Sequence, residues 1–315
     1  MLSTALVILP VFLIILAGYV SRKTGLLGET ASSELNRFVV WLALPCLMFE
    51  VVATTDWQAV WHTGFVIVSL AGTFAVFACG LAIGKARGLK LADMSVDGLN
   101  ASYSNSAYIG FPLMYLTFGA ESRPFVVIAA TLTLMVLFAA SIILIEIAQH
   151  HGQRGHVIVA KAGRSVLRNP IVMSPLAGLG WWLTGIPLPQ PAHTFVSLLG
   201  GAASPAALVA IGLFLAAHPL RQAATNFFVL ALTAAKLVAH PALTALLAIY
   251  VLPLPREIAA MAIVMAALPT GTGPFMVAEF YARDGRVTSG TILMSTALSV
   301  VTITAVLLWL GHGAS

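Results

Sequence analysis

The sequence predicts an all-α integral membrane protein of ten transmembrane helices, arranged as a 5+5 inverted repeat in which helices 4 and 9 are broken. Three observations carry this reading: the composition, the distribution of Lys and Arg, and proline–glycine interruptions at matching places in the two halves. Of 315 residues, 59% are apolar and only 9% charged, with a mean hydropathy of +0.97. Soluble domains run at about 45–50% apolar and about 25% charged, so a water-soluble fold is excluded. The net charge of +5 comes from basic residues scattered through short loops, not from a stripe, so the sequence gives no nucleic-acid surface.

Ten apolar stretches are marked out, at roughly 3–20, 33–53, 61–84, 93–118, 124–148, 169–186, 192–217, 225–251, 257–281 and 287–311. The first carries no basic residue before Arg22, whereas a signal peptide opens with a positive region, so it is read as a retained span. Loops on one side of the membrane then hold twelve Lys and Arg residues, from Arg22 to Arg286, and the other side holds Arg123 and Arg256. That bias puts the basic side in the cytoplasm and both termini outside a cell membrane. The halves are 1–148 (spans 1–5) and 169–315 (spans 6–10), joined by a cytoplasmic linker, 149–168. In the linker, "HVIVAKAGRSVLR" has the pattern of an interfacial amphipathic helix. His150, His151 and His156 read as solvated loop residues, not metal ligands. Cys46 and Cys79 lie in apolar segments, which argues against a disulfide framework or a cysteine metal site.

Five spans followed by five must have opposite orientations, and the halves rhyme. "LALPCLMF" with Pro45 in span 2 faces "AASPAALVAIG" with Pro205 in span 7. "GFPLM" (Gly110–Met114) in span 4 faces "TGTGPFM" (Thr270–Met276) in span 9. Proline removes a backbone donor and clashes one turn back, and freed backbone groups in lipid cost several kcal/mol unless protein or cavity water satisfies them. Paired interruptions in an inverted repeat therefore point to a secondary transporter's binding site. New helix N-termini there, each with a partial charge of about +0.5 e, suit a carboxylate.

Candidate substrate-binding residues follow from position: Asn100, Ser104 and Asn105 in span 4, with Pro112 at the interruption, and Pro269, Thr270 and Gly271 in span 9. Asn105 precedes Pro112 by about two turns and shares its face; its NH2 can bond a carboxylate and still release it. Lys236 is the one basic residue deep in a span, and His240 lies one turn on. A charge at that depth is expensive, so the pair is assigned to charge compensation or proton coupling. Glu50, Asp93, Glu146 and Glu279 lie nearer span ends, within reach of water.

These motifs resemble the auxin efflux carrier family, which includes plant PIN-type carriers and bacterial permeases for malonate and other organic acids. "NASYSNSAYIGFPL" (Asn100–Leu113) resembles its span-4 motif, and "ALPTGTGPFMVAEFY" (Ala267–Tyr281) its span-9 motif. "AKLVAHPALTALL", with a basic residue before a proline, resembles its span 8. The resemblance covers essentially the whole chain. It implies that helices 4 and 9 cross at their prolines, that spans 1, 2, 6 and 7 form a scaffold, and that spans 3–5 and 8–10 form a mobile transport part. It further implies elevator-type alternating access, often in a homodimer, with Asn105, Pro112 and Pro269 at the substrate site or crossover. Gly273 stands where many bacterial relatives have asparagine, and about 20 residues replace the long plant loop, so auxin is not the default substrate.

The function expected is a secondary transporter of a small mono- or dicarboxylate, with no cofactor and with coupling to H+ or Na+ left open. The alternative is an anion channel or passive uniporter using the same site, since "TGTG" exposes carbonyls as a filter would. An intramembrane enzyme finds neither paired mid-span acids nor metal-ligand spacing to support it.

Overall fold

In a computed structural model, residues 2–149, 170–217 and 223–311 are described. The expected interfacial helix of the linker and its three histidines lie outside them. Among the described residues the fold is all-helical, apart from one isolated β-bridge. Helices are numbered here as α1 (Leu2–Lys23), α2 (Ala31–Phe38), α3 (Leu44–Thr54), α4 (Trp57–Val60), α5 (Thr63–Ala86), α6 (Leu91–Ser102), α7 (Phe111–Phe118), α8 (Arg123–Leu132) and α9 (Phe138–Gln149). The remainder are α10 (Pro170–Trp182), α11 (Gln190–Gly201), α12 (Ala203–Ala217), α13 (Phe227–Ala234), α14 (His240–Leu246), α15 (Arg256–Ala267), α16 (Gly273–Phe280) and α17 (Arg286–Trp309).

Among the described residues, five helical runs are long and apolar enough to cross a membrane: 31–54, 63–86, 190–217, 227–251 and 286–309. Two of the expected spans, 93–118 and 257–281, are divided. Helices α6 and α15 have 12 residues each, and α7 and α16 have 8 each. Twelve residues rise about 18 Å, well short of the roughly 30 Å hydrocarbon core, so none of these pieces crosses alone.

Several runs pass through a π-helical turn, and three of these turns end one residue short of a proline. Val39–Ala43 precedes Pro45, Ser106–Gly110 precedes Pro112, and Ala235–Ala239 precedes Pro241. The physical reason is local: the proline ring cannot pack against the carbonyl one turn back, and the wider turn moves that carbonyl away. The helix therefore continues past these prolines instead of ending.

Packing relies on small residues, since lipid supplies no hydrophobic force between helices. Helix α1 lies along α12, and α3 lies along α10. At the first contact a Cβ on Gly212 would run into the Ile15 carbonyl, and one on Gly18 into the backbone of Val209. Gly212→Val is therefore expected to destabilise the protein by about 1–3 kcal/mol, the usual cost of overpacking. Chemical unfolding in detergent reads this directly; wild-type stability would show that α1 and α12 do not touch there. Val39, Leu44, Met48, Phe65, Ile109, Leu113, Met114 and Val126 belong to a buried core that joins α3, α5, α7 and α8.

Candidate binding site at the meeting of two non-helical segments

Helix α6 ends at Ser102, and three residues, Tyr103–Asn105, leave helical geometry before the π-turn that leads into α7. Helix α15 ends at Ala267, and Leu268–Thr272 leave it before α16. The two stretches pair with each other. Ser104 and Thr270 form an antiparallel bridge. Asn105 N–H donates to the Pro269 carbonyl at 2.9 Å, and Gly271 N–H to the Tyr103 carbonyl at 3.1 Å. Backbone groups that an interrupted helix would leave bare in lipid are thus paired with the other segment. Four helix ends converge here, the C-termini of α6 and α15 and the N-terminal sides of α7 and α16.

The sequence pointed to Gly110 and Pro112 as the interruption, and there the structure differs. The departure lies upstream at Tyr103–Asn105, while Pro112 occupies the first turn of α7, where its missing N–H leaves no gap. Ser104, Asn105, Pro269, Thr270 and Gly271 are brought together; Pro112 is not among them.

Asn105 is nearly buried, at 6% exposure, and its two amide ends do different things. Its Oδ1 accepts from the Tyr108 N–H at 3.3 Å, capping the turn that starts α7. Its Nδ2 donates to no described residue, so the donor end is available to a ligand. Thr270, in contrast, is fully engaged: its hydroxyl donates to the Asn100 carbonyl at 2.8 Å, and its N–H donates to Ser295 Oγ at 3.1 Å. The Asn100 side chain turns away from the bridge, donating to Thr288 Oγ1 at 3.0 Å and reaching Asp97 at 3.5 Å. Asn100 and Thr270 thus hold the bridge against α6 and α17.

Gly271 and Gly273 let an aromatic ring approach. A Cβ on Gly273 would lie 2.5 Å from Tyr103 Cζ, and one on Gly271 would lie 2.8 Å from the same ring. The Tyr103 side chain therefore covers the start of α16. Lys236, fully buried, donates to the Ala266 carbonyl at 2.6 Å, at the C-terminal end of α15. A cation at a helix C-terminus is favourable. Its Nζ also lies 3.1 Å from His240 Nδ1, and His240 Nε2 lies 3.4 Å from Thr73 Oγ1. Among the described residues it meets no carboxylate.

Sequence reasoning missed three participants. Asp97 is 2% exposed and pairs with Arg87, which also stacks on Phe228. A lone acid in "SVDGLN" is the signal that could have found it. Tyr103 carries no signal of its own, because its partners Gly271 and Gly273 are remote in sequence. The Tyr108 hydroxyl donates to Asn36 of α2, which ties the turn before α7 to another part of the fold. Among the described residues no cluster of His, Cys, Asp or Glu could hold a metal ion.

Several helices long and apolar enough to cross a membrane, and two buried non-helical segments paired between them, are features that suit a membrane-embedded transporter. The family described as "Membrane transport protein" matches residues 4–307, and the chain belongs to it, the auxin efflux carrier family of membrane transporters. A Rhizobium meliloti protein named "Putative malonate transporter" is 30% identical over 308 residues, covering 98% of this chain and 96% of its own. An "Uncharacterized transporter" of Methanothermobacter thermautotrophicus is 26% identical over 309 residues, 94% of this chain and 95% of its own. "Auxin efflux carrier component 3" of Arabidopsis thaliana is 31% identical over 160 residues, 49% of this chain and 25% of its own.

Proposed function

We propose that the protein is a secondary transporter of a small organic anion, a mono- or dicarboxylate, bound where Tyr103–Asn105 meets Leu268–Thr272. The observation that carries this reading is the free donor end of Asn105, beside helix N-termini and without a full positive charge in contact. Such a site attracts a carboxylate through N–H dipoles and one amide, strongly enough to bind and weakly enough to release. The printed name of the Rhizobium meliloti relative supports malonate as the first substrate to try.

We further propose that ten spans form a 5+5 inverted repeat, 1–148 and 169–315, with helices 4 and 9 crossing. Two regularities support it. The interrupted spans divide in the same way, 12 residues then 8 in both halves. The packing also repeats: span 1 lies along span 7, as span 6 lies along span 2. Under this proposal spans 1, 2, 6 and 7 are the scaffold of a homodimer. Spans 3–5 and 8–10 carry the anion across the cell membrane in an elevator movement, with the basic loops cytoplasmic and both termini outside.

The test is counterflow in proteoliposomes. Vesicles loaded with unlabelled malonate are expected to take up labelled malonate transiently and with saturation. Ohmic single-channel currents without counterflow would favour a channel and contradict the carrier.

A further inference from the structure

Between the bridge and the Lys236–His240 pair lies a cavity of about 30 Å³, room for roughly one water molecule. Its polar lining comes from Ser69 and Thr73 of α5, Ser104 and Ser106 flanking Asn105, Thr133, and His240 and Thr244 of α14. Thr244 is 1% exposed, and its hydroxyl has no hydrogen-bond partner. A buried, unpartnered hydroxyl costs about 1–3 kcal/mol, and the usual remedy is an ordered water with two to four polar partners. A water held there would have the hydroxyls of Thr244 and Thr73 and of the serines beside Asn105 within the same lining. The cavity therefore reaches from His240, the partner of Lys236, to the two serines that flank Asn105.

We propose that Lys236 and His240 are the proton carrier of this transporter, and that the cavity is the water-filled link through which their charge meets the bound anion. The inference rests on the transporter reading and names its coupling ion. Two adjacent basic groups in a buried site do not both charge; together they hold one mobile proton. With an anion at Asn105, that proton balances one negative charge, which lowers the cost of carrying it through the low-dielectric part of the membrane. The proton enters from the solvent on the more acidic side, sits on Lys236 Nζ or His240 Nδ1 during the crossing, and returns to solvent on the other side with the anion.

The surroundings favour this use. Helices α5, α6, α15 and α17 pack on the Ala235–Ala239 turn, yet no other titratable side chain of the described residues faces the pair. Asp97 of α6 is held by Arg87. Lys236 also lies on the end of α15 itself, so a change in its charge is felt at the backbone that continues into Pro269.

The test uses proteoliposomes, labelled malonate and an imposed pH gradient. With the membrane potential clamped at zero, wild type is expected to concentrate malonate about tenfold per pH unit if one proton accompanies each anion. Lys236→Met, His240→Gln and Lys236→Arg are each expected to lose this accumulation, and any uptake that remains does not follow the gradient. The arginine variant is decisive. It keeps the charge and cannot release the proton, so a residue that merely attracts anions would still work as arginine. Gel filtration of each purified variant shows which are folded, and the folded ones decide. Gradient-driven accumulation in Lys236→Arg and His240→Gln equal to wild type overturns the inference and leaves the transporter reading intact. Carboxylate transport by wild type that ignores the pH gradient does the same. A wild type that moves no mono- or dicarboxylate overturns both.

Discussion

Asn105→Asp is expected to abolish carboxylate uptake while keeping the cap of α7, at a cost of about 1–3 kcal/mol of stability for a carboxylate at this nearly buried position. Aspartate caps a helix as well as asparagine does, so the bond from the Tyr108 N–H to a side-chain oxygen survives. The Nδ2 donor does not survive, and a carboxylate takes its place facing the anion. Two like charges about 4 Å apart repel by about 4 kcal/mol at an effective dielectric near 20, roughly a thousandfold in affinity. Asn105→Ala separates the two roles from the other side. It loses the cap, at about 0.5–2 kcal/mol of stability, together with the donor. Uptake and chemical unfolding measured on the same preparations check both; Asn105→Asp transporting like wild type would remove Asn105 from the site.

Gly273→Ala is the second large effect expected. Its Cβ would meet the Tyr103 ring at 2.5 Å, so the ring must leave its place over the start of α16 or the two segments must separate. Overpacking of this kind costs about 1–3 kcal/mol, and here it falls on Tyr103, next to the bridge residue Ser104, so uptake is expected to drop at least about tenfold. The double variant Gly273→Ala with Tyr103→Ala is expected to recover part of the loss, because residues in contact are not additive. Identical losses with and without the tyrosine would show that the ring is not what the new methyl meets. The same geometry gives a reason for the glycine: Tyr103 occupies the space that an asparagine at 273 would need.

The all-helical, membrane-embedded character was legible because hydropathy is a local property. The pairing of "GFPLM" with "TGTGPFM" pointed to the two spans whose non-helical segments meet, although "GFPLM" itself is helical. The position of the first departure was not legible. Proline at 112 reads as the interruption, but a π-turn over Ser106–Gly110 lets the helix carry it, and the chain leaves helix at Tyr103–Asn105 instead. That departure is stable because its backbone bonds go to Pro269 and Tyr103 across the two segments, partners that no local window contains. Asn100 shows the same limit. By position it belongs with Asn105, yet its amide turns to Thr288 and Asp97, and only the packing of α6 on α17 decides that. Lys236 was found by its cost in an apolar span, although its contact with the Ala266 carbonyl was beyond the sequence.

The central claim is that the donor end of Asn105 binds a carboxylate at the meeting of the two segments. Thermal unfolding of the purified protein, titrated with malonate and with its uncharged diamide, tests it most directly, since a ligand that binds only the folded state raises the midpoint by mass action. The account predicts a saturable rise with malonate, none with the diamide, and none with either compound in Asn105→Asp. An equal rise with malonate in wild type and Asn105→Asp would contradict it.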